Sequence, residues 1–162
     1  MKISQQINEL NSPQVSLRRR AAEQLAGFPD AAAAVSLVRA CGDADEQVRE
    51  WAVAALEQMG APDAADAAAL ADLLAAAQGD VRYWSATLLG RLGEQAASAV
   101  GPLIRAIDAD ADAAVRQRAV WAIGQMGRSA ASARDVLTRA SLCSDARLAR
   151  LAREALERIG GA

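Results

Sequence analysis

Apolar residues recur at helical spacing in the segment from residue 48 to residue 60. Its apolar positions are Val48, Ala52, Ala55, Leu56 and Met59. This spacing places all of them on one face of an α-helix. Gly60 follows the last of them, where the end of a helix favours a residue that tolerates the left-handed conformation. The pattern therefore predicts an amphipathic helix that ends near Gly60.

The same pattern occurs five times along the chain. The related segments begin at Leu17, Val81, Val115 and Leu148. The glycines that follow the last four copies, Gly60, Gly93, Gly127 and Gly160, are separated by 33, 34 and 33 residues. A repeat period in this range is the signature of a solenoid. We therefore predict stacked helical repeats.

A shorter apolar helix is predicted before each of these segments. The apolar positions that indicate it are Ile3, Ile7 and Leu10, then Leu70, Leu73 and Leu74, then Val100, Leu103, Ile104 and Ile107, then Val136, Leu137 and Ala140. Asp30 is placed to cap the helix over residues 31–41. Pro102 predicts a kink or a late start in its helix. We predict one domain over residues 1–162, with repeats at about 1–28, 29–60, 61–93, 94–127 and 128–162.

The composition restricts the class of protein. Apolar residues make up 52% of the 162 residues, yet no run is long enough to span a membrane. The first residues lack the apolar core of a signal peptide, so we expect a cytoplasmic protein. The first helix is mostly polar and the last carries many charges, which suits the open ends of a complete small solenoid.

The residues that usually carry catalysis or bind metal are scarce. The chain has no histidine, which removes the commonest general base and metal ligand. Its two cysteines, Cys41 and Cys143, are too far apart for a disulfide framework or a zinc site, and we interpret them as small apolar residues. Asp108, Asp110 and Asp112 alternate without the glycine and glutamate of a calcium loop. We expect no cofactor, no metal and no enzyme activity.

The repeat resembles a known family. Residues 43–60 have the form Asp-x-x-x-x-Val-Arg-x-x-Ala-x-x-Ala-Leu-x-x-Met-Gly. This form resembles the HEAT repeat, in the variety named after the phycobilisome lyases, and the resemblance covers essentially the whole chain. It implies an all-α, right-handed α-solenoid (an armadillo/HEAT-like superhelix) of about five helical hairpins, with the second helices lining a concave groove.

The resemblance also implies a ladder of ion pairs between neighbouring repeats. Asp43 with Arg49, and Asp110 with Arg116, match the aspartate and arginine positions of the family. Repeat three keeps its arginine without the aspartate, and repeat five has alanine where arginine belongs. We therefore expect a broken ladder that is strongest in the middle.

Aromatic residues are concentrated on the side that the family exposes to the groove. Counted from the arginine position of each second helix, places −1, +3, +6, +7 and +10 are predicted core, and places +1, +2, +5 and +9 face the groove. The predicted apolar anchors of the groove are Trp51, Tyr83, Trp84 and Trp121, and the predicted polar rim is Arg20, Arg91 and Arg118. Tryptophan, tyrosine and arginine are enriched in interface hot spots. The alternative is that the tryptophans fill space in an alanine-rich core.

The distribution of charge bears on the kind of partner. Basic side chains concentrate in the first and last repeats, whereas a solenoid that binds nucleic acid is expected to have a basic groove along its length. We predict a non-catalytic scaffold that binds a protein or peptide, with neither a membrane, a nucleic acid nor a small molecule as its ligand. Two alternatives remain: a bilin-lyase-like tetrapyrrole chaperone-enzyme, and a nucleic-acid-binding HEAT protein.

Overall fold

The structure is a computed structural model that describes residues 2–160, and in this range it contains α-helices, short 3-10 helices and no strand. The α-helices, in chain order, are α1 (Ile3–Leu10), α2 (Val15–Gly27), α3 (Ala34–Ala40), α4 (Glu46–Gln58), α5 (Ala67–Leu73), α6 (Gly79–Leu92), α7 (Val100–Ala109), α8 (Ala113–Met126), α9 (Arg134–Ser141) and α10 (Ala146–Gly160). They pair into five hairpins, as predicted. The outer limits of the first and last predicted repeats, residue 1 and residues 161–162, lie outside the described residues.

The chain forms two compact units, which divide after Asp66. In the first unit α1 packs on α2, α2 on α4, and α3 on α4. Asp45 begins α4 by accepting a hydrogen bond from the backbone N–H of Val48 at 3.1 Å. Asp30 accepts from the N–H of Ala32 at 2.9 Å and so caps the 3-10 turn that leads into α3. The predicted cap at Asp30 is confirmed.

In the second unit the later helix of each hairpin packs against its counterpart in the next hairpin. Helix α6 packs on α8 and α8 on α10, while α5, α7 and α9 pack against the second helices of their own hairpins. The hydroxyl of Ser85, in the buried face of α6, donates to the backbone carbonyl of Leu70 in α5. This arrangement presents side chains of α6, α8 and α10 along one surface.

The predicted core places are buried in the central helices. Places −1, +3, +6, +7 and +10 are all buried in α4, α6 and α8. At place +7, Leu56, Leu89 and Ile123 are fully inaccessible. Phe28, at place +10 and directly after α2, departs from the pattern and is 86% exposed.

Glycine ends two of the helices in the predicted conformation. Gly93 after α6 and Gly127 after α8 have φ values of 60° and 58°, which disfavour any residue with a Cβ. The same prediction for Gly60 is wrong, because α4 already ends at Gln58 and Met59 leaves it in an extended conformation.

Each of the two positive-φ glycines opens a 3-10 segment, Gly93–Ala99 or Gly127–Ala133, that leads into the next hairpin. After the first of these, α7 begins at Val100, so Pro102 lies in its first turn. A proline is tolerated there because the first N–H groups of a helix have no intrahelical partner. This confirms the late start that Pro102 predicted.

Four arginines make the same contacts at the start of their helices. Arg18, Arg49, Arg82 and Arg116 each donate through Nη1 to the carbonyls six and five residues earlier, in the turn of their own hairpin. These bonds satisfy carbonyl oxygens that the turn leaves without a helical partner. They give the arginines of the first four repeats a structural role that does not depend on a neighbouring aspartate.

Two rungs of the predicted ladder form, one in each unit. Arg18 holds Asp43 through contacts of 2.7 and 3.0 Å, and Arg82 holds Asp110 through contacts of 2.6 and 2.9 Å. Each rung runs from an arginine to the aspartate of the following repeat. Ala76 stands at the aspartate position of repeat three, so the sequence lacks a carboxylate for a middle rung. The prediction of a broken ladder is confirmed, but the expectation that it is strongest in the middle is wrong.

Candidate functional site

Five of the seven predicted groove residues lie together in the second unit. They are Tyr83, Trp84, Arg91, Arg118 and Trp121. The first three are on α6 and the other two on α8, which packs beside it. Successive second helices bring them together because places +1, +2, +5 and +9 fall on the same side of each helix.

Arg118 is the centre of this cluster. Its guanidinium carbon lies 4.7 Å from the centroid of the Tyr83 ring and 5.1 Å from that of the Trp121 ring. Its Nη2 also donates a hydrogen bond to the Tyr83 hydroxyl. Stacking and hydrogen bonding together hold the guanidinium between two aromatic side chains. We refer to Tyr83, Arg118 and Trp121 as the aromatic–arginine cluster.

Trp84 has surroundings that differ from those expected of an exposed anchor. Only 8% of its surface is exposed. The edge of the Tyr83 ring packs against it at a centroid distance of 5.7 Å and an interplanar angle of 87°, and the Arg91 guanidinium lies over its face at 5.8 Å. These two neighbours cover the ring. Its predicted role as an exposed apolar anchor of the groove is therefore corrected, and the packing interpretation applies to this residue.

Trp121 is partly exposed and is positioned by close helix packing. A Cβ at Gly90 of α6 would lie 2.3 Å from Cζ3 of the Trp121 ring and 3.0 Å from the Cα of Ala122. With its amide oxygen turned toward the ring, Gln125 accepts from the indole Nε1 at 3.1 Å and also from Arg158. The indole thus lies across a glycine of α6, with its polar edge bonded within α8.

A small pocket opens beside the cluster. It has a volume of about 210 Å³. Its lining residues are Tyr83, Ala114, Gln117, Arg118, Trp121, Arg147 and Leu151. A second, much smaller cleft continues on the other side of Trp121 and again includes Leu151. Leu151 occupies place +2 of α10, so the surface that the sequence predicted continues onto the last helix.

Four of these lining residues were not among the predicted site residues: Leu151, Ala114, Arg147 and Gln117. Ala114 and Arg147 lie at the starts of α8 and α10, before the counted places begin. Gln117 is at place +1, the same place as Tyr83, but glutamine carries no aromatic signal. Its Nε2 donates to Asp145 at 2.9 Å. The equivalence of Gln117 and Tyr83 in the repeat was the signal that could have found it.

The remaining predicted groove residues, Trp51 and Arg20, lie in the first unit. Trp51 on α4 is 36% exposed, the largest exposed fraction of the three tryptophans. Arg20 on α2 pairs with Glu9 of α1 through contacts of 2.8 and 3.2 Å. Its charge is therefore engaged within its own hairpin.

Two ionisable groups beside the cluster have lowered pKa values. Burial lowers the pKa of Arg91, and the positive charge of Arg118 lowers it further. In contrast, the backbone N–H of Leu148 and the amide of Gln117 lower the pKa of Asp145, which also accepts from the N–H of Arg147. The charged side chains that line the pocket itself, Arg118 and Arg147, are both cationic.

The site offers aromatic faces, guanidinium donors and the aliphatic side chains of Ala114 and Leu151. Within residues 2–160, no group of three histidine, cysteine, aspartate or glutamate residues is placed to hold a metal ion. Arrangements of tryptophan, tyrosine and arginine around a concave surface are typical of binding interfaces. The geometry is therefore suited to stacking on a ligand and donating hydrogen bonds to it.

Stacked helical hairpins with this surface define the chain as an α-solenoid repeat protein. The profile of the HEAT-repeat family matches residues 3–75 and 67–157. The protein belongs to the HEAT-repeat family. A search of curated proteins found no match. No helix in the described part of the chain combines the length and apolar character needed to cross a membrane.

Solved structures of low sequence identity share the fold. An engineered protein from the Northeast Structural Genomics Consortium is 20% identical, with a TM-score of 0.67 over 98% of this chain and 80% of that one. A designed armadillo repeat protein in complex with the peptide (KR)4 is also 20% identical, with a TM-score of 0.68 over 97% and 81%. The complex of CpcE and CpcF of phycocyanin lyase from Nostoc sp. PCC7120 is 22% identical, with a TM-score of 0.64 over 98% and 65%. These similarities confirm the armadillo/HEAT-type solenoid fold and the resemblance to lyase-type repeats.

Proposed function

We propose that this protein is a non-catalytic scaffold that binds a protein or peptide segment on the surface formed by α6, α8 and α10. The observation that carries the proposal is the Arg118 guanidinium held between Tyr83 and Trp121 at the edge of a pocket. Aromatic and arginine side chains that are fixed before binding lose little conformational freedom when a partner docks. Such residues contribute a large share of the affinity at protein interfaces.

The size of the pocket supports a peptide over a tetrapyrrole. Pockets for drug-sized molecules have volumes upwards of about 300 Å³ and bury most of the ligand. The pocket beside Arg118 has about 210 Å³. A volume of this size accommodates one or two side chains of a longer segment that continues along the helices. The designed armadillo neighbour, whose ligand is the peptide (KR)4, is consistent with this mode of binding.

The proposal is tested by comparing partner recovery between two variants. Trp121→Ala removes an apolar anchor of the pocket, whereas Leu142→Ala removes a side chain that is 83% exposed and does not line it. We expect affinity purification followed by mass spectrometry to recover a partner with the parent and with Leu142→Ala. Recovery with Trp121→Ala should fall, because truncation of a central aromatic anchor typically costs about 2 kcal/mol or more of binding free energy.

Two results would contradict this function. Equal recovery with both variants would show that the partner binds elsewhere. Visible absorbance of a tetrapyrrole that is retained by the parent and lost in Trp121→Ala would favour the bilin-lyase-like alternative. We also propose a cytoplasmic location, which cell fractionation tests.

A further inference from the structure

The pocket beside Trp121 combines positive charge with apolar surface. Its charged lining residues are Arg118 and Arg147, and its apolar lining includes Trp121 and Leu151. No carboxylate lines it. A surface of this composition is complementary to a ligand that carries a negative group next to an apolar one.

The two arginines retain donors for such a ligand. The ion pairs among residues 2–160 involve arginines other than these two: Arg18, Arg19, Arg20, Arg82, Arg139 and Arg150. Arg118 donates to Tyr83, but arginine has further N–H groups that this bond does not use. Its planar guanidinium is already oriented by stacking on two rings, so a carboxylate can bind it with little further ordering.

Two acidic residues of the last hairpin, Asp145 and Glu154, already have hydrogen-bond donors. Asp145 accepts from the backbone N–H groups of Arg147 and Leu148 and from the amide of Gln117. Glu154 accepts from Arg150 at 2.7 Å, one turn away on α10. These carboxylates stabilise the start and the exposed face of α10, and neither forms an ion pair with Arg118 or Arg147 among residues 2–160.

We propose that the pocket binds an acidic peptide segment, in which an aspartate or glutamate carboxylate contacts Arg118 and Arg147 and a neighbouring apolar side chain packs on Trp121 and Leu151. The inference rests on the proposed function, because it names the partner chemistry for the same surface. The proposed acidic ligand is opposite in charge to the basic peptide (KR)4 that the designed armadillo neighbour binds.

A peptide is favoured over a nucleic acid by the extent of the positive surface. Nucleic-acid binding proteins neutralise many phosphates along an extended basic face. Here two arginines line one small pocket, and the whole chain has a net charge of −2. The apolar part of the lining also matches an aliphatic or aromatic side chain better than a sugar–phosphate backbone.

The test selects ligands from a random peptide library displayed on phage, using the intact protein as bait. The parent is compared with Arg147→Gln, Arg118→Gln, Trp121→Ala and the matched control Arg128→Gln. Arg128 is also exposed but does not line the pocket. Arg147→Gln is the most informative variant, since the side chain of Arg147 is exposed and its loss is not expected to affect folding. Circular dichroism confirms that each variant is folded.

We expect the parent and Arg128→Gln to enrich peptides with aspartate or glutamate next to an apolar residue. Arg147→Gln should lose part of the acidic enrichment and keep the apolar one, and Arg118→Gln should lose more. For one selected peptide, measured by fluorescence polarisation, the loss of affinity should be several-fold for Arg147→Gln and about tenfold for Arg118→Gln, as for charge-assisted hydrogen bonds. Added salt should weaken the parent more than the arginine variants.

The possible failures separate the two proposals. Apolar enrichment that depends on Trp121 but shows no acidic preference overturns the acidic-peptide inference and leaves the binding function standing. Enrichment that is unchanged in Trp121→Ala, or no enrichment at all, overturns both. A labelled single-stranded oligonucleotide that binds more tightly than the selected peptide, with loss in Arg118→Gln, assigns the pocket to nucleic acid and also overturns the inference.

Discussion

At the scale of single residues, the three tryptophans have three different environments. Trp51 is 36% exposed on α4, Trp84 is 8% exposed on α6, and Trp121 lies between these extremes at the edge of a pocket. Trp51 and Trp84 occupy the same place of their repeats, so place alone does not set burial. The low exposure of Trp84 results from the neighbouring side chains that cover its ring.

The burial of Trp84 predicts a structural effect on mutation. Trp84→Ala removes a large side chain packed between Tyr83 and Arg91. We expect the free energy of unfolding to fall by roughly 3–5 kcal/mol, as for other buried aromatic residues. Urea denaturation measures this loss, with Trp51→Ala as the exposed control of the same type. If Trp84→Ala lowers the free energy of unfolding no more than Trp51→Ala does, Trp84 is a surface residue and the packing interpretation is wrong.

A second residue-level prediction concerns acid stability. Asp45 caps α4 and pairs with Arg19, and the hydrogen bond from Arg19 is the main reason that its pKa falls from the ordinary 3.8 to about 2. A lowered folded-state pKa stabilises the fold above the unfolded-state value, and this contribution disappears as the pH falls through the folded-state pKa. We therefore expect Asp45→Asn to destabilise the protein at neutral pH and to have a shrinking effect between pH 3.8 and about 2.

The measurement for Asp45 is urea denaturation at a series of pH values. The ion pair with Arg19 supplies the control, because Arg19→Gln removes the main cause of the shift. In that background Asp45→Asn should show a smaller pH dependence. If Asp45→Asn lowers the free energy of unfolding by the same amount over the whole acidic range, the negative charge of Asp45 does not contribute to its capping of α4.

At the scale of helices, the close approach of α6 and α8 depends on Gly90. We expect Gly90→Ala to displace the Trp121 ring and to destabilise the fold by about 1–3 kcal/mol, as for overpacked cores. Gly101→Ala on α7 is the control, because its Cβ would meet only an arginine side chain, at 3.8 Å. An alanine in an open helical position is instead expected to stabilise by roughly 0.5–1 kcal/mol.

The Gly90 prediction is checked by two readouts. Thermal or urea unfolding gives the stability change, and the indole Nε1 resonance of Trp121 reports movement of the ring. If Gly90→Ala stabilises the protein as much as Gly101→Ala does, the two helices have room for a methyl group and the packing described at this contact is incorrect.

Helices and their buried faces were largely predictable, since apolar spacing reflects the same geometry that packs them. The ends of helices were less predictable. Gly60 occupies the same position as the glycines that end α6 and α8, but α4 ends before it, at Gln58. Of the site, the sequence identified Tyr83, Arg118 and Trp121 by residue type and place. It could not identify the cover over Trp84, because the orientations of the Tyr83 and Arg91 side chains on the same helix decide it. Nor could it identify the contribution of Arg147, which lies in the first turn of α10, before the counted places.

At the scale of the whole molecule, the contacts divide the chain after Asp66. Stability in repeat proteins is the sum of local terms, so a core mutation is felt most in its own repeat and the next. Leu89 is fully buried in α6, in the second unit. Trp51 reports on the first unit, while Trp84 and Trp121 report on the second.

We expect Leu89→Ala to cost roughly 2–5 kcal/mol and to broaden the unfolding transition. Fluorine NMR of the protein labelled with fluorotryptophan follows the three indoles separately across a urea series. The midpoints of Trp84 and Trp121 should fall below that of Trp51. Leu142→Ala serves as the exposed control. Midpoints equal to those of the parent would show that the assigned core is out of phase, and an equal fall at all three indoles would show one cooperative unit.

The two 3-10 segments have a consequence for how such a chain can change in length. Gly93 and Gly127 share φ and ψ within a few degrees, 60° and −133° against 58° and −137°, and Ala96 and Ala130 are similarly matched. A gene duplication with both endpoints inside these segments would join one copy to the next at a backbone geometry that already occurs in the protein. The product would gain one complete helical hairpin of 34 residues without a new turn. Recombination at these glycines is thus a route by which the protein could gain or lose binding surface, one helical hairpin at a time.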